Sequence, residues 1–182
     1  MKLYLIRHGK TIANERHLYC GKTDLSVSEQ GIKELQNISY HISEPVRFVT
    51  SGMLRTEQTL TCLFGEVPHT IDERFREVNF GVFEMHSYED LKACEAYQVW
   101  ISGDNEANIP PEGESGNQMK QRVLCGLQEL QKQEEDVVLV THGGVIACLM
   151  EYLFPNENKN RFQWRPKPGG GYLVTEDDYT VL

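Results

Sequence analysis

Short apolar runs that stop abruptly at polar residues punctuate this chain. Residues 2–6 run into Arg7-His8-Gly9, residues 47–50 into Ser51-Gly52, and residues 137–141 into His142-Gly143-Gly144. Runs of this length, rich in β-branched residues and closed by a breaker, predict buried strands. Between them the apolar spacing changes to three and four. Over 28–42 it places Ile32, Leu35, Ile38 and Ile42 on one face, with Ser26 and Glu29 as a capping box ahead of them. A second helix is predicted over 87–100, opened by Ser87 and Asp90. A third, over 116–133, carries Met119, Val123, Leu127 and Leu130 on one face. A fourth, over 144–154, is apolar enough to be buried.

Strands alternating with helices predict an α/β domain with a largely parallel sheet. The chain shows no repeat and no linker, so residues 1–182 read as a single domain. Residues 102–116, rich in Gly, Pro and acids, read as a long loop that is a candidate lid. In the tail, a polar start is followed by the aromatic and basic RFQWRPKP. The GGGYLV after it is expected to return a strand to the sheet edge.

Composition narrows the class. The 182 residues are 40% hydrophobic and 25% charged, as expected of a soluble globular protein. With 27 acids against 18 bases the net charge is −9, which argues against a general nucleic-acid or anionic-membrane binder. The four apolar residues opening the chain are too few for a signal segment, and no run is long enough to span a bilayer. Five widely spaced cysteines without a CxxC pair predict reduced thiols in a cytoplasmic protein, with no metal role.

The strand ends carry the chemistry. In open α/β sheets, ligands bind beyond the carboxyl ends of the strands. If the three strands are neighbours, Arg7, His8, Arg55 and His142 converge there. Arginine forks suit a phosphate, and glycines let backbone N–H groups and a helix N-terminus approach it. A neutral histidine with one ring nitrogen tied to a carbonyl and the other free can attack phosphorus. The departing oxygen then needs an acid, and Glu77 and Glu84 are the candidates. His17, His41, His69 and His86 lie outside strand ends and read as structural.

These residues have a family resemblance. Arg7-His8-Gly9-x-Thr11-x-x-Asn14 resembles the signature of the histidine phosphatase superfamily, the phosphoglycerate mutase-like proteins. Tyr19-x-Gly21, Ser51 to Thr59 with Arg55, Glu77 to Glu84, Glu112 to Ser115 with Arg122, and Val140 to Ile146 resemble its further motifs, in the family order. The resemblance implies a three-layer α/β/α sandwich and a phosphomonoester hydrolase working through a phosphohistidine. His8 is similar to the nucleophile and Glu77 to the general acid and base. Arg7, Arg55 and His142 are similar to the phosphate clamp. Asn14 and the backbone of Gly143 are similar to further phosphate ligands, and the backbone of Cys20 and Gly21 to substrate contacts. It implies no metal, no cofactor, and a small phosphorylated substrate as partner.

Only about 30 residues separate Glu84 from Glu114, where mutases carry longer insertions, so a phosphatase is expected over phosphoglycerate mutase-type transfer. Retention of the acid argues against a non-catalytic phosphate-binding module. The Leu18–Gly21, Asn79–Met85 and Trp100–Glu114 stretches resemble alpha-ribazole phosphatase of cobalamin biosynthesis. Lys10, Met85 and Ala147 depart from common family residues at their positions.

Overall fold

The computed structural model describes residues 1–42, 45–104 and 106–182; position 105 of the predicted 102–116 loop lies outside these. Six strands form one sheet: β1 (Leu3–Arg7), β2 (Arg47–Thr50), β3 (His69–Ile71), β4 (Val137–Thr141), β5 (Gly171–Val174) and β6 (Tyr179–Val181). Their order is β3-β2-β4-β1-β5-β6. β1 and β2 run parallel to β4 between them, β3 runs parallel to β2, and on the other side β5 pairs antiparallel with β1 and β6 antiparallel with β5. The three strands predicted from the apolar runs are therefore adjacent, and their carboxyl ends lie side by side.

Alternation along the strands builds the layers. Leu3 and Leu5 of β1, with Leu139 of β4, pack on one face against two helices, α6 (Gly116–Gln131) and α7 (Gly143–Leu153). Tyr4 and Ile6, with Val138 and Val140, pack on the other face against Leu60 of α3 (Leu54–Phe64). β4 is buried at every position, which is why its run is continuously apolar rather than alternating. Met119, Val123, Leu127 and Leu130 of α6 all face the core, as their spacing predicts. The result is the expected three-layer α/β/α sandwich.

The remaining helices are short: α1 (Ile12–Glu15), α2 (Glu29–Leu35), α4 (Tyr88–Leu91), α5 (Glu95–Ile101) and α8 (Arg161–Trp164). Three expectations are corrected here. The helix predicted over 28–42 stops at Leu35, in a tight turn where the Ile38 N–H donates to the Leu35 carbonyl. Its cap is Ser28, which accepts from the Gly31 N–H, and not Ser26.

The helix predicted over 87–100 breaks into α4 and α5, although Ser87 and Asp90 form the expected capping box. On one straight helix Leu91 and Tyr97 would point about 120° apart. The break lets both enter the same buried cluster with Phe83.

The GGGYLV strand, β5, pairs with β1, and β6 takes the sheet edge outside it. No helix among the described residues is long and apolar enough to cross a membrane.

Candidate active site

At the end of β1 the chain delivers Arg7 and then His8. The His8 N–H pairs with the Thr141 carbonyl of β4, and the Gly9 N–H donates to Thr59 Oγ1 of α3. These bonds lock the turn. The His8 ring is almost fully buried, with Nδ1 2.7 Å from the Gly9 carbonyl. That contact assigns the proton of a neutral ring to Nδ1 and leaves the Nε2 lone pair free.

His142 ends β4 and caps α7, and its ring meets that of His8 edge-on at a centroid distance of 5.2 Å. Its Nε2 lies 2.8 Å from Ser51 Oγ, at the end of β2. Burial, and then the nearby Arg55 guanidinium, lower both histidines well below the usual imidazole value. Both are neutral at physiological pH.

Arg55, from the first turn of α3, is 1% exposed. Its fork donates to the Gly21 carbonyl at 2.8 Å and the Thr23 carbonyl at 3.0 Å. Arg7 donates through Nη1 to the Pro166 carbonyl at 2.7 Å. Burial, and after it the charge of Arg165, lowers Arg7 to about 10. Among the described residues, Arg7 Nε and His142 Nδ1 are buried polar atoms without a hydrogen-bond partner. Unpaired buried groups of this kind are costly unless a ligand completes them.

The two acid candidates separate clearly. Glu84 accepts from the N–H groups of Gly21, Lys22, Thr23 and Phe80 and from the Thr23 hydroxyl. Its acceptor sites are occupied, so it holds the 21–23 loop in shape. Among the described residues Glu77 accepts only two hydrogen bonds, from the Gly144 N–H at 2.8 Å and the Val78 N–H at 3.0 Å. It sits against the start of α7, where a side chain at Gly144 would overlap its carboxylate.

Asn14 Oδ1 is engaged by the Thr11 N–H and hydroxyl in a capping box at α1, which leaves its NH₂ group as a donor. Gly143 opens α7 with its N–H at the helix N-terminus. The N–H and carbonyl of Gly21 are both spent within the protein, on Glu84 and Arg55, and the Cys20 Sγ–H points to the Thr23 carbonyl. Burial raises the Cys20 thiol above its usual value. Gly21 packs against Val78, beside Glu77, where a Cβ would overlap the Val78 carbonyl oxygen.

Two neighbours were not anticipated. Ser51 supports His142; the motif around it was legible, but the bond spans 91 positions. Arg165, in the tail, packs across Gly143 beside Arg7: a Cβ on Gly143 would lie 2.9 Å from Arg165 Cγ and 3.1 Å from Arg7 Nε. Its only signal was the basic and aromatic character of RFQWRPKP. The surface hollow lined by Met1, Leu3, Leu127 and Val174 gathers no arginine or histidine. Among the described residues no group of three or more His, Cys, Asp or Glu is placed to hold a metal ion.

The arrangement is a cationic cradle with a free imidazole nitrogen on one side and a lightly held carboxylate on the other. The chain as a whole is similar to known proteins. The family model described as histidine phosphatase superfamily (branch 1) matches residues 3–179. The chain is 31% identical over 163 residues to the adenosylcobalamin/alpha-ribazole phosphatase of Escherichia coli strain K12, covering 84% of this chain and 79% of that protein. It is 30% identical over 160 residues to a metal-independent phosphoserine phosphatase of Arabidopsis thaliana, covering 81% of this chain and 66% of that longer protein. The solved alpha-ribazole phosphatase structure from Shigella flexneri superposes with a TM-score of 0.85 at 26% identity, covering 100% of this chain and 95% of that one.

Proposed function

The chain belongs to the histidine phosphatase superfamily, and on that premise we propose that it hydrolyses small phosphomonoesters through a phosphohistidine on His8, without a metal ion. The observation that carries this reading is the state of His8: buried, neutral, with Nδ1 tied to Gly9 and Nε2 free beside buried arginines.

In the first step the Nε2 lone pair forms a bond to phosphorus while the bond to the ester oxygen breaks. Glu77 gives its proton to that oxygen as it leaves. Arg7, Arg55, His142, the Asn14 amide and the Gly143 N–H hold the non-bridging oxygens, whose charge grows as the bonds exchange. The proton stays on Nδ1, donated to the Gly9 carbonyl, and the ring carries the positive charge. In the second step Glu77 takes a proton from water, the oxygen attacks phosphorus, and the P–N bond returns its electrons to His8. Inorganic phosphate leaves.

Alpha-ribazole 5′-phosphate is the first substrate to try, supported by the relatives that act on it, which would place the enzyme in cytoplasmic cobalamin synthesis. Phosphoserine is the second.

The test is hydrolysis of p-nitrophenyl phosphate by wild type and His8→Ala in excess EDTA, with rapid quenching to trap an acid-labile phosphoryl group. Activity and label that survive EDTA and vanish in His8→Ala are expected. Activity that EDTA abolishes, or that persists in His8→Ala, overturns the mechanism. With a phosphate ester that carries a free hydroxyl, transfer of the phosphoryl group to that hydroxyl rather than to water would make the protein a mutase. Phosphate binding without turnover of any ester would make it a binding module.

A further inference from the structure

Glu77 sits on a stretch with no strand partner to hold it. After a 3₁₀ turn at Glu73–Phe75 the chain runs irregularly to a second such turn at Gly81–Phe83. An acid there must still stand within hydrogen-bond reach of a leaving oxygen, and an error of about 1 Å in such geometry can cost on the order of a hundredfold in rate.

What fixes the stretch is Arg122, projecting from α6. Nη1 donates to the carbonyls of Arg74 at 2.7 Å and Arg76 at 2.6 Å, and Nη2 donates to the carbonyl of Glu77 itself at 3.1 Å. Nε donates to Glu114 Oε2 at 3.1 Å, and Nη2 also pairs with Glu114 Oε1. Glu114 in turn grips the far side: its Oε1 accepts from the Asn79 N–H at 3.2 Å, and its own N–H donates to the Asn79 carbonyl at 3.0 Å. The five N–H donors of a guanidinium are thus all used, three on the backbone that carries the acid and two on the carboxylate that brackets it.

The geometry points to Arg122, with Glu114 as its counter-ion, as the positioning residue for the acid. This inference rests on the reading of Glu77 as the proton donor. Arg122 never meets the substrate. Its fork sets where the Glu77 carboxylate stands, and its charge alone does not suffice, because lysine offers three donors from one point instead of five from a plane. The same contacts define the end of the 102–116 loop. With the Val82 N–H on the Pro111 carbonyl at 2.9 Å, residues 111–114 are fastened to the acid segment and form a fixed wall of the site.

The experiment compares kcat/KM for p-nitrophenyl phosphate, whose leaving group needs no proton, with that for an alkyl phosphate, whose leaving group does. Wild type, Arg122→Lys, Glu77→Gln and the double variant are measured. General acid catalysis is worth about 10²–10⁴-fold, so partial misplacement in Arg122→Lys should slow the alkyl ester by about thirtyfold and the aryl ester far less. In the double variant the selectivity should be that of Glu77→Gln alone, since both act on one group.

Equal slowing of both esters by Arg122→Lys, or full additivity in the double variant, would reduce the clamp to general stability and overturn the proposal. If Arg122→Lys melts far below wild type, Glu114→Gln is read on the same ratio with the same expectation. Absence of selectivity in Glu77→Gln would instead sink the acid assignment, and the clamp with it. Inactivity of wild type on both esters would sink the hydrolase reading.

Discussion

The Nε2 of His142 rests 2.8 Å from the Ser51 hydroxyl, at a place where both residues are fully buried. With the hydroxyl hydrogen donated to Nε2, the proton of the neutral ring lies on Nδ1, the nitrogen that has no partner among the described residues. In that arrangement Ser51 holds the tautomer whose Nδ1 can donate to a phosphoryl oxygen.

Ser51→Ala should lose that selection. We expect phosphate affinity and kcat/KM to fall by about tenfold, with a stability loss of about 1 kcal/mol for one buried hydrogen bond. Inhibition by inorganic phosphate and a urea melt measure the two effects separately. Unchanged inhibition would show that Ser51 does not set the ring.

Stability should fall on acidification. His8 and His142 have folded pKa values lowered by burial, and next by Arg55, while the unfolded chain titrates near the ordinary value. Below about pH 6.5 the unfolded state binds protons that the native state refuses, so the stability present above that pH is lost as pH drops, by up to about 1.4 kcal/mol per unit per histidine. Urea midpoints followed from neutral pH downward in phosphate-free buffer check this. The slope should be shallower in His8→Gln, and a slope identical to wild type would contradict the assignment.

Glu84 and Glu77 should separate experimentally. Glu84→Gln replaces an acceptor of backbone N–H groups by a side chain that carries donors of its own, and loosens the 21–23 loop whose carbonyls Arg55 grips. We expect a loss on the order of 2 kcal/mol in stability and a higher KM for aryl and alkyl esters alike. A leaving-group preference in Glu84→Gln like that of Glu77→Gln would reverse the two roles.

Arg165 lies beside Arg7 and Gly143 without an ion-pair partner among the described residues, although Arg161 and Arg122 nearby in sequence or space are paired. Its charge should add to anion capture. Arg165→Ala is expected to weaken inorganic phosphate inhibition about fivefold at low salt, equivalent to about 1 kcal/mol for an exposed charge, with the difference shrinking as salt screens it. A salt-independent difference, or none, would remove Arg165 from the electrostatics of the site.

The amino-acid sequence alone determined where strands end and what stands there. An apolar run closed by a polar pair is a local pattern, so β2 and β4 were legible to the residue and β1 to within one. The face of α6 was legible for the same reason, since burial leaves its period in neighbouring residues. The candidate residues Arg7, His8, Arg55, Glu77 and His142 were readable from strand-end placement and motif order.

The tertiary structure decided the rest. Only the strand order β2-β4-β1 makes His8 and His142 neighbours across 134 positions of chain. Two glutamates seven residues apart look alike in sequence, and one became a loop staple because the Gly21–Thr23 amides fold onto it. Arg165 joined the pocket because the tail returns through β5 beside β1, drawing Pro166 onto Arg7. A helix that periodicity extends over 87–100 broke because Leu91 and Tyr97 share one cluster. Local spacing records which positions are buried. Which donor meets which acceptor depends on the packing of distant segments, and no local period encodes that.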